Sequence, residues 1–336
     1  MSSDSELISI LMPVKNAEPF LEECIESILN QTDENWQLLA VDDGSSDSSY
    51  DILEQYVNKD SRIRALKNPG NGIIDALRLA YSRSSGAFIT RMDADDKMAP
   101  SKLEILKHNL KSSGTGYLAI GQVKYFSEPQ LGDGYLKYES WLNELTNKGS
   151  NYSEIYKECV IPSPCWMVHC EDLDNCEAFK PNTYPEDYDL TFRFYREELK
   201  VVPCKEVLHY WRDHPNRSSR NDDNYADNRF LELKISKFLD HDHDTQKLLA
   251  LWGAGSKGKY LAKYLCNSGI EFIWLCDTEN KIGQSIYGVE LQSFSNYHFI
   301  TNSQLISSVA QRDTEKILEM KLEKYAKSLI ELYSFC

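Results

Sequence analysis

The sequence predicts an α/β protein with two domains, and three observations lead to this prediction. The chain has 336 residues, more than one domain commonly holds, and 41% of them are hydrophobic, enough for packed cores. Short apolar runs typical of buried strands alternate with apolar repeats typical of helices. Several strand-like runs end directly in acidic or loop-forming residues. This alternation favours a mainly parallel sheet wound with helices.

Composition excludes several classes of protein. The net charge of −15 argues against nucleic acid, or an anionic membrane, as a general partner. No apolar run approaches the length of a membrane-spanning helix, so we expect no integral membrane segment. The nine cysteines are scattered, and no signal peptide is apparent, which favours a reduced cytosol. We expect a cytoplasmic protein, and peripheral placement at the inner face of the membrane stays open.

The first domain is predicted at residues 1–222. Helices are indicated by apolar positions at i, i+3, i+4 and i+7, beginning at Leu21. An Asn-Pro-Gly-Asn-Gly stretch at 68–72 is a strong loop signal. Strands are predicted at Ile8–Val14, Trp36–Val41, Ile63–Leu66, from Phe88 onward, Gly121–Tyr125, toward Val168, and Val201–Val207.

Two acidic turns follow strands of the same kind, Asp42-Asp43 and Asp93 to Asp96. Ligands gather at the carboxyl ends of strands in open α/β sheets, so both turns should share one edge. In an extended chain Asp93 and Asp95 can converge on one point, where two carboxylates suit Mg²⁺ or Mn²⁺ with a phosphate. The alternative is a solvated acidic turn. No Walker loop is present, which argues against a P-loop NTPase.

Three successive segments resemble the signatures of family 2 glycosyltransferases: SILMPVKN at 9–16, VDDGSSD at 41–47 and RMDADD at 91–96. The resemblance covers about residues 7 to 220. It implies a GT-A-type nucleotide-diphospho-sugar transferase domain and an inverting reaction.

The resemblance assigns the nucleotide pocket to four residues. Pro13 and Asn16 would line it, and Asp43 would accept a hydrogen bond from the base, with Asp42 beside it. Lys15 stands where many members carry a tyrosine near the nucleobase. The aromatic stacking contact of those members is therefore not expected here.

The metal and donor side is implied in the same way. Asp93 and Asp95 would hold a Mn²⁺ or Mg²⁺ ion with the diphosphate, and Asp93 would also contact the donor. Arg91 would steer Asp93 or the donor sugar, and a structural ion pair is an equal alternative. The segment from His209 to Arg220 resembles the part of the family that closes over the donor. There His214 would contact the metal or the diphosphate, or would have a structural role alone. Three arginines are candidates to bind phosphate: Arg212, Arg217 and Arg220.

Glu186-Asp187 resembles the Glu-Asp pair at the family's acceptor site. A sugar hydroxyl that attacks an anomeric carbon must lose a proton, and a carboxylate within hydrogen-bond reach can take it. We predict Asp187 as the general base, with Glu186 orienting it or binding an acceptor hydroxyl. The alternative is a pair of helix N-terminal carboxylates favoured by the helix dipole.

Two further stretches leave alternatives open. Residues 130–151 are polar and aromatic, and their aromatic side chains either stack on an acceptor sugar or, as is more common, pack inside: Tyr135, Tyr138 and Trp141. The cysteines at 159, 165, 170 and 176 are clustered, yet their spacing does not match the common zinc pattern.

A linker helix is predicted at 223–246 and a small Rossmann-like domain at 247–336. The linker ends in His-Asp-His-Asp at 241–244, which we interpret as solvated rather than metal-binding. Next, a strand from Leu248 to Trp252 precedes a GxGxxG turn at 253–258, and a later strand ends at Asp277, where a ribose might bind. Further elements are predicted at Leu305–Ala310, Asp313–Lys327 and Leu329–Phe335. Because the domain is short, we favour a packing or assembly module over a dinucleotide site.

These observations predict a metal-dependent, inverting glycosyltransferase of polysaccharide biosynthesis. Its partners would be a nucleotide-sugar donor, UDP-linked by preference, and a glycan or lipid-linked glycan acceptor, and a homo-oligomer stays open. The alternative function is a nucleotide sensor or scaffold that uses the GxGxxG domain beside a silent GT-A domain.

Overall fold

The computed structural model describes residues 6–127, 132–215, 217, 227–295, 302–309, 320 and 330–336. The chain divides into two compact units, Met1–Ser153 with Cys159–Asn221, and Glu154–Glu158 with Asp222–Cys336. Arg220 and the predicted helix at 313–327, apart from Met320, lie outside the described residues. None of the helices in the described ranges is long and apolar enough to cross a membrane.

The first unit is built on a mixed sheet of eight strands, which confirms the predicted α/β class. In chain order they are β1 Ile8–Val14, β2 Trp36–Asp42, β3 Ile63–Lys67, β4 Phe88–Arg91, β5 Lys97–Met98, β6 Tyr117–Phe126, β7 Trp166–His169 and β8 Lys200–Arg212. Their order in the sheet is β3-β2-β1-β4-β7-β6-β8-β5. The half from β3 to β4 is parallel, because its strands are joined by helical crossovers. Antiparallel pairing begins where β7 joins β4.

Helices pack on this sheet, and most of them bury an apolar stripe. They are α1 Glu18–Leu29, α2 Ser49–Lys59, α3 Ile73–Ser82, α4 Lys102–Ser113, α5 Asp133–Lys148, α6 Cys170–Asn175 and α7 Glu186–Arg196. In α1 the predicted stripe is buried, and a proline in the first turn suits the start of the helix: Leu21, Cys24, Ile25 and Ile28. The strands, together with α1, α2, α4 and α5, form one hydrophobic core.

The structure adds detail to two predictions for this unit. The stretch at 130–151 holds a full helix, α5, and its aromatic residues Tyr135, Tyr138 and Trp141 pack against the core, as the packing interpretation expects. The strand predicted at Val201–Val207 is β8, which continues to Arg212 because it pairs along its length with β6. His209 and Arg212 therefore lie in a strand. The clustered cysteines are thiols, buried except for the partly exposed Cys170, and the described residues contain no metal-ligand group of three or more.

The second unit is a six-stranded sheet with helices α8 Asp227–His241 and α9 Ser256–Asn267. Its strands are β9 Leu248–Trp252, β10 Ile273–Cys276, β11 Ser285–Ile286, β12 Val289–Ser293, β13 Ser303–Ser307 and β14 Ile330–Ser334, in the order β11-β12-β10-β9-β13-β14. All described pairs are parallel except β11 with β12. The sequence analysis missed β11 and β12, which are short and polar.

The predicted linker helix is α8, and it is part of the second unit rather than an exposed connection. Leu231, Ile235 and Phe238 are buried on it, so its apolar stripe has a partner surface. The His-Asp-His-Asp segment that follows is partly buried: the Tyr156 hydroxyl donates to Asp242 at 2.5 Å, and the His243 ring packs on Phe238. The segment is therefore only partly solvated.

Candidate active site

The two acidic turns lie on one edge of the first sheet. Strand β1 lies between β2 and β4 and is parallel to both, so the three carboxyl ends meet. Asp42 ends β2 and Asp43 follows it, and the turn from Asp93 to Asp96 follows β4. The backbone ties these ends together, since the Asp43 amide donates to the Val14 carbonyl at 2.8 Å. The topology thus brings together the residues that the sequence predicts at this edge.

Asp43 is buried and is held by three donors. Its Oδ2 accepts from Lys15 Nζ at 3.1 Å, and its Oδ1 accepts from Asn68 Nδ2 at 2.6 Å and from the Gly72 amide at 2.8 Å. These contacts fix the carboxylate between β1, β2 and the loop at 68–72. The Lys15 ammonium, half exposed, brings a positive charge to this carboxylate.

Asn16 and Asp42 build the turns around this carboxylate. Asn16 has a φ of 48°, a left-handed conformation that asparagine tolerates, and its Oδ1 accepts from the Ser46 amide at 2.8 Å. Asp42 accepts from the Ser45 amide at 3.3 Å, and Pro13 lies opposite Val41 in the β1–β2 ladder. All three line the same edge, and their contacts to a nucleotide stay predictions.

Arg91 joins the acidic turn to the predicted acceptor pair. The guanidinium is buried, donating from Nε to Asp93 Oδ1 and from an Nη to Glu186 Oε1, each at 3.0 Å. A buried cation between two carboxylates fixes both in position. Burial raises the pKa of Asp93, and the charge of Arg91 opposes that rise. The sequence analysis left two roles open for Arg91, steering Asp93 and forming a structural ion pair. In the structure the ion pair with Asp93 also orients that carboxylate, so the two roles coincide.

Asp187 follows Glu186 in the first turn of α7 and is surrounded closely by protein atoms, while the residue keeps partial access to solvent. Burial raises the pKa of its carboxyl to about 7, helped by the charge of Glu186 and opposed by Arg91. The Tyr188 amide donates to Asp187 Oδ1 at 2.8 Å, which orients the group. A carboxyl with a pKa near neutrality is suited to accept a proton.

His214 and Arg212 both contact Asp95. His214 Nε2 lies 2.8 Å from Asp95 Oδ2, and its ring packs on Phe20. Arg212 donates from Nε to the Asp95 carbonyl at 2.7 Å, pairs with Glu23, and packs its guanidinium over Phe20. The end of β8 therefore holds the acidic turn directly. In this arrangement Arg212 is committed to protein groups, and a contact with phosphate stays a prediction.

Arg217 lies further along the same segment. Its guanidinium lies over the rings of Tyr125 and Trp211, at 5.8 and 6.0 Å from their centroids. The charges of Asp95 and Asp96 are close enough to interact with it. Arg217 thus adds a positive charge beside the acidic turn, where a diphosphate would also need one.

A divalent ion at the acidic turn stays a prediction, and the side chains there can be compared with what such an ion accepts. Asp93, Asp95 and His214 supply carboxylate and imidazole groups of the kind that Mn²⁺ accepts. Arg91 and His214 each contact one oxygen of these carboxylates. Three or more ready ligands do not converge anywhere in the described ranges. A metal site at this turn would need further ligands from phosphate and water.

Three buried residues beneath the turn were missed by the sequence analysis as site residues. Asp96, His209 and Lys102 are connected by hydrogen bonds and are each almost fully buried. One signal was available for Lys102, because it shares the buried stripe of α4 with Leu106 and Leu110. A lysine on an apolar stripe needs a buried partner.

In the second unit, two glycines of the GxGxxG turn serve packing. A Cβ on Gly258 would lie 2.1 Å from the Gly253 carbonyl oxygen, and one on Gly253 would meet Ser308 Oγ at 2.5 Å. Around Gly255 no atom lies within 4 Å of the Cβ position. Asp277 accepts from Trp252 Nε1 at 2.8 Å. Close contact between helix and strands accounts for Gly253 and Gly258, as the packing interpretation expects.

Known proteins resemble the first unit. Residues 9–176 match the family model described as Glycosyl transferase family 2. The Escherichia coli UDP-Glc:alpha-D-GlcNAc-diphosphoundecaprenol beta-1,3-glucosyltransferase WfgD is 31% identical over 69% of this chain and 84% of its own length. Glycosyltransferase GlyG of Streptococcus pneumoniae is 28% identical over 62% of this chain and 71% of its length. The chain spans only 62% of the Bacillus subtilis glycosyltransferase EpsJ.

The fold is also found among solved structures. Staphylococcus aureus TarS, residues 1–349 in complex with UDP-GlcNAc, superposes with a TM-score of 0.57 over 77% of this chain and 71% of that one. The sequences are 17% identical, so this likeness concerns the fold. The family match covers half of the chain and agrees with the segments that carry the acidic turns. The chain therefore belongs to glycosyl transferase family 2 and is a glycosyltransferase with a GT-A fold.

Proposed function

We propose that this enzyme moves a sugar from a nucleotide-diphosphate donor, UDP-linked by preference, to a hydroxyl group of a glycan or glycoconjugate, with inversion at the anomeric carbon. The observation that carries the proposal is the bridge made by Arg91 between Asp93 and Glu186, the residue next to Asp187. It couples a candidate diphosphate site to a carboxyl with a pKa of about 7.

Asp187 is the general base in this proposal. The acceptor oxygen forms a bond to the anomeric carbon while the bond from that carbon to the diphosphate oxygen breaks. The hydroxyl proton passes to Asp187, and the electron pair of the broken bond leaves with the diphosphate. A single displacement of this kind inverts the centre, by analogy with glycoside hydrolysis. Glu186, held by Arg91, orients the acceptor side.

Asp93, Asp95 and His214 hold the divalent ion, Mn²⁺ or Mg²⁺, in this proposal. When bound, such an ion neutralises charge on the departing diphosphate. Arg91 keeps Asp93 in place, and Arg212 anchors the backbone at Asp95. Asp43 and Asn16 bind the nucleoside at the neighbouring strand end, with Asp42 and Pro13 shaping that pocket.

The acceptor is a polysaccharide precursor or lipid-linked glycan. The support is the relative WfgD, whose name gives a diphosphoundecaprenol-linked acceptor. An acceptor of that kind would bring the enzyme to the inner face of the membrane as a peripheral protein. A panel of UDP-sugars against GlcNAc-diphosphoundecaprenol and free oligosaccharides tests this directly.

The test of the proposed function compares the enzyme with Asp187→Asn. Asparagine keeps the shape of the side chain but cannot accept the proton. We expect unchanged UDP affinity by calorimetry and a loss of transfer of about two to four orders of magnitude. NMR of the product should show a β linkage from an α-linked UDP-sugar. Near-normal turnover of Asp187→Asn, or retention of configuration, would contradict the proposal.

A further inference from the structure

A chain of three buried polar side chains lies behind the acidic turn. Lys102, at the start of α4, donates from Nζ to the Pro164 carbonyl at 2.5 Å and lies 3.2 Å from His209 Nδ1. His209 Nε2 lies 2.9 Å from Asp96 Oδ2. Lys102 and His209 have no exposed surface, and Asp96 has 1%. Burying three ionisable groups is costly, so this arrangement needs a reason.

The direction of the hydrogen bonds follows from the donors. In its ammonium form Lys102 only donates; His209 Nδ1 then accepts, and its Nε2 carries the proton and donates to Asp96. Burial lowers the pKa of His209 well below its ordinary value, and the charges of Lys102 and Arg217 lower it further, which favours the neutral ring. The proton on Nε2 thus makes His209 a fixed donor to the acidic turn.

Asp96 connects His209 to both sides of the site. Its Oδ1 accepts from the Arg212 amide at 2.7 Å, so one carboxylate joins the turn to the end of β8. Its own amide donates to the Asp93 carbonyl at 3.2 Å. The start of α4 is fixed as well, because Gln31 accepts from the Leu103 amide at 3.0 Å and donates to the Ala99 carbonyl at 2.8 Å.

We propose that Lys102, His209 and Asp96 form a positioning chain that holds the Asp93–Asp96 turn against β8 and so sets the affinity for the donor diphosphate and its divalent ion. This inference rests on the proposed function. None of the three residues touches the reacting atoms in it. They act through Asp93, Asp95 and His214, as groups behind a ligand set its orientation.

Two variants of His209 separate positioning from packing. Glutamine places its side-chain amide near the position of the imidazole Nε2 and can still donate to Asp96. Asparagine is shorter, so it can accept from Lys102 but leaves Asp96 without this donor. Both substitutions remove the ring from the same buried place, and both should lower the unfolding temperature to a similar extent.

The readouts are UDP affinity by calorimetry in Mn²⁺ and in EDTA, thermal unfolding, and the ¹⁵N spectrum of His209. We expect His209→Asn to weaken UDP binding in Mn²⁺ by about 10- to 100-fold, and His209→Gln to stay within about 3-fold of the parent. Binding in EDTA should differ little between the two variants. The spectrum of the parent should show a neutral ring protonated on Nε2.

Three results would overturn the inference. Parent-like binding by His209→Asn would show that the chain does not position the turn. Equal losses in both variants would reduce its role to packing, and a proton on Nδ1 would reverse the assigned direction. If the parent enzyme bound no UDP in Mn²⁺, both the proposed function and this inference would be contradicted. If the parent bound UDP and His209→Asn bound it equally well, only this inference would be contradicted.

Discussion

At the scale of single residues, the site depends on the contacts that Arg91 makes with the carboxylates around it. The guanidinium contacts Asp93 and Glu186 directly and acts on Asp187 through space. Its positive charge works against burial, which would otherwise raise the pKa of Asp187 further. One side chain thus stabilises the donor side and adjusts the base. A lysine could supply the charge here, but it could not bridge both carboxylates with a planar fork.

This arrangement predicts a pH profile. Asp187 accepts a proton only when ionised, so kcat/KM should rise with pH and level off above about 7, the value to which its pKa is raised. Arg91→Gln removes a charge that lowers this pKa, so the rising limb should move to higher pH. Arg91→Lys keeps the charge and should leave the limb in place while reducing the rate.

The pH profiles of initial transfer rates check this prediction, with Arg83→Gln, an exposed site at the end of α3, as the control for loss of one charge. An unmoved limb in Arg91→Gln would mean that the titrating group is not Asp187.

At the scale of elements, the strands that could be predicted from the sequence are those with a nearly continuous run of apolar residues. Strand β1 is buried along nearly its whole length and β2 likewise, so their sequences are apolar apart from Ser9 in β1 and from Gln37 and Asp42 in β2. Their order in the parallel half also made the meeting of the acidic turns predictable. Helix α5 was missed because it buries few of its residues and shows a weak apolar period.

The remaining site features depend on partners distant in sequence. The length of β8 is set by pairing with β6, which its own residues do not indicate. The connection of Lys102 to His209 joins residues far apart in the chain, so no local pattern could predict it. The bridge from Arg91 to Glu186 is of the same kind, although both residues were named as candidates from their segments.

The turn between β9 and α9 gives a prediction for an element. Gly258→Ser places a Cβ 2.1 Å from the Gly253 carbonyl oxygen, which also accepts from Trp274 Nε1 at 2.8 Å, so backbone must shift. We expect a loss of about 1–3 kcal/mol in the free energy of unfolding. Gly255→Ser meets no atom within 4 Å, and serine is a favoured N-cap, so stability should hold or rise slightly.

Denaturant unfolding of both serine variants, followed by tryptophan fluorescence, measures the two effects. Equal stability of the pair would contradict the packing role of Gly258.

At the scale of the whole molecule, the two units are not consecutive in the chain. The short segment Glu154–Glu158 belongs to the second unit, although the residues on both sides of it belong to the first. Tyr156 accounts for much of this assignment: its ring stacks on Phe335 at 5.3 Å between centroids, packs on Phe238, and its hydroxyl donates to Asp242. A boundary drawn at a single position cannot reproduce this division.

Two neighbouring tyrosines test this division in the full chain. Tyr156→Ala should increase hydrogen exchange in β9 and β13, because an aromatic ring is lost from the second unit. Tyr152→Ala should act instead in the first unit, where its ring packs against Tyr195 at 5.5 Å. Hydrogen-exchange mass spectrometry of both variants separates the two patterns. Faster exchange in β1 and β2 for Tyr156→Ala would assign the segment to the first unit after all.

The interleaved segment also has a consequence for biosynthesis. Translation delivers residues 154–158 together with the first unit, well before β14 and Phe335 leave the ribosome. Until then the ring of Tyr156 lacks its stacking neighbour from the second unit and adds to the apolar surface that a nascent chain exposes. The first sheet can finish pairing when β8 has emerged, whereas the second unit closes only after its last strand is made. A pause in translation after β8 and before β14 would therefore lengthen the time in which the nascent chain can aggregate or bind chaperones.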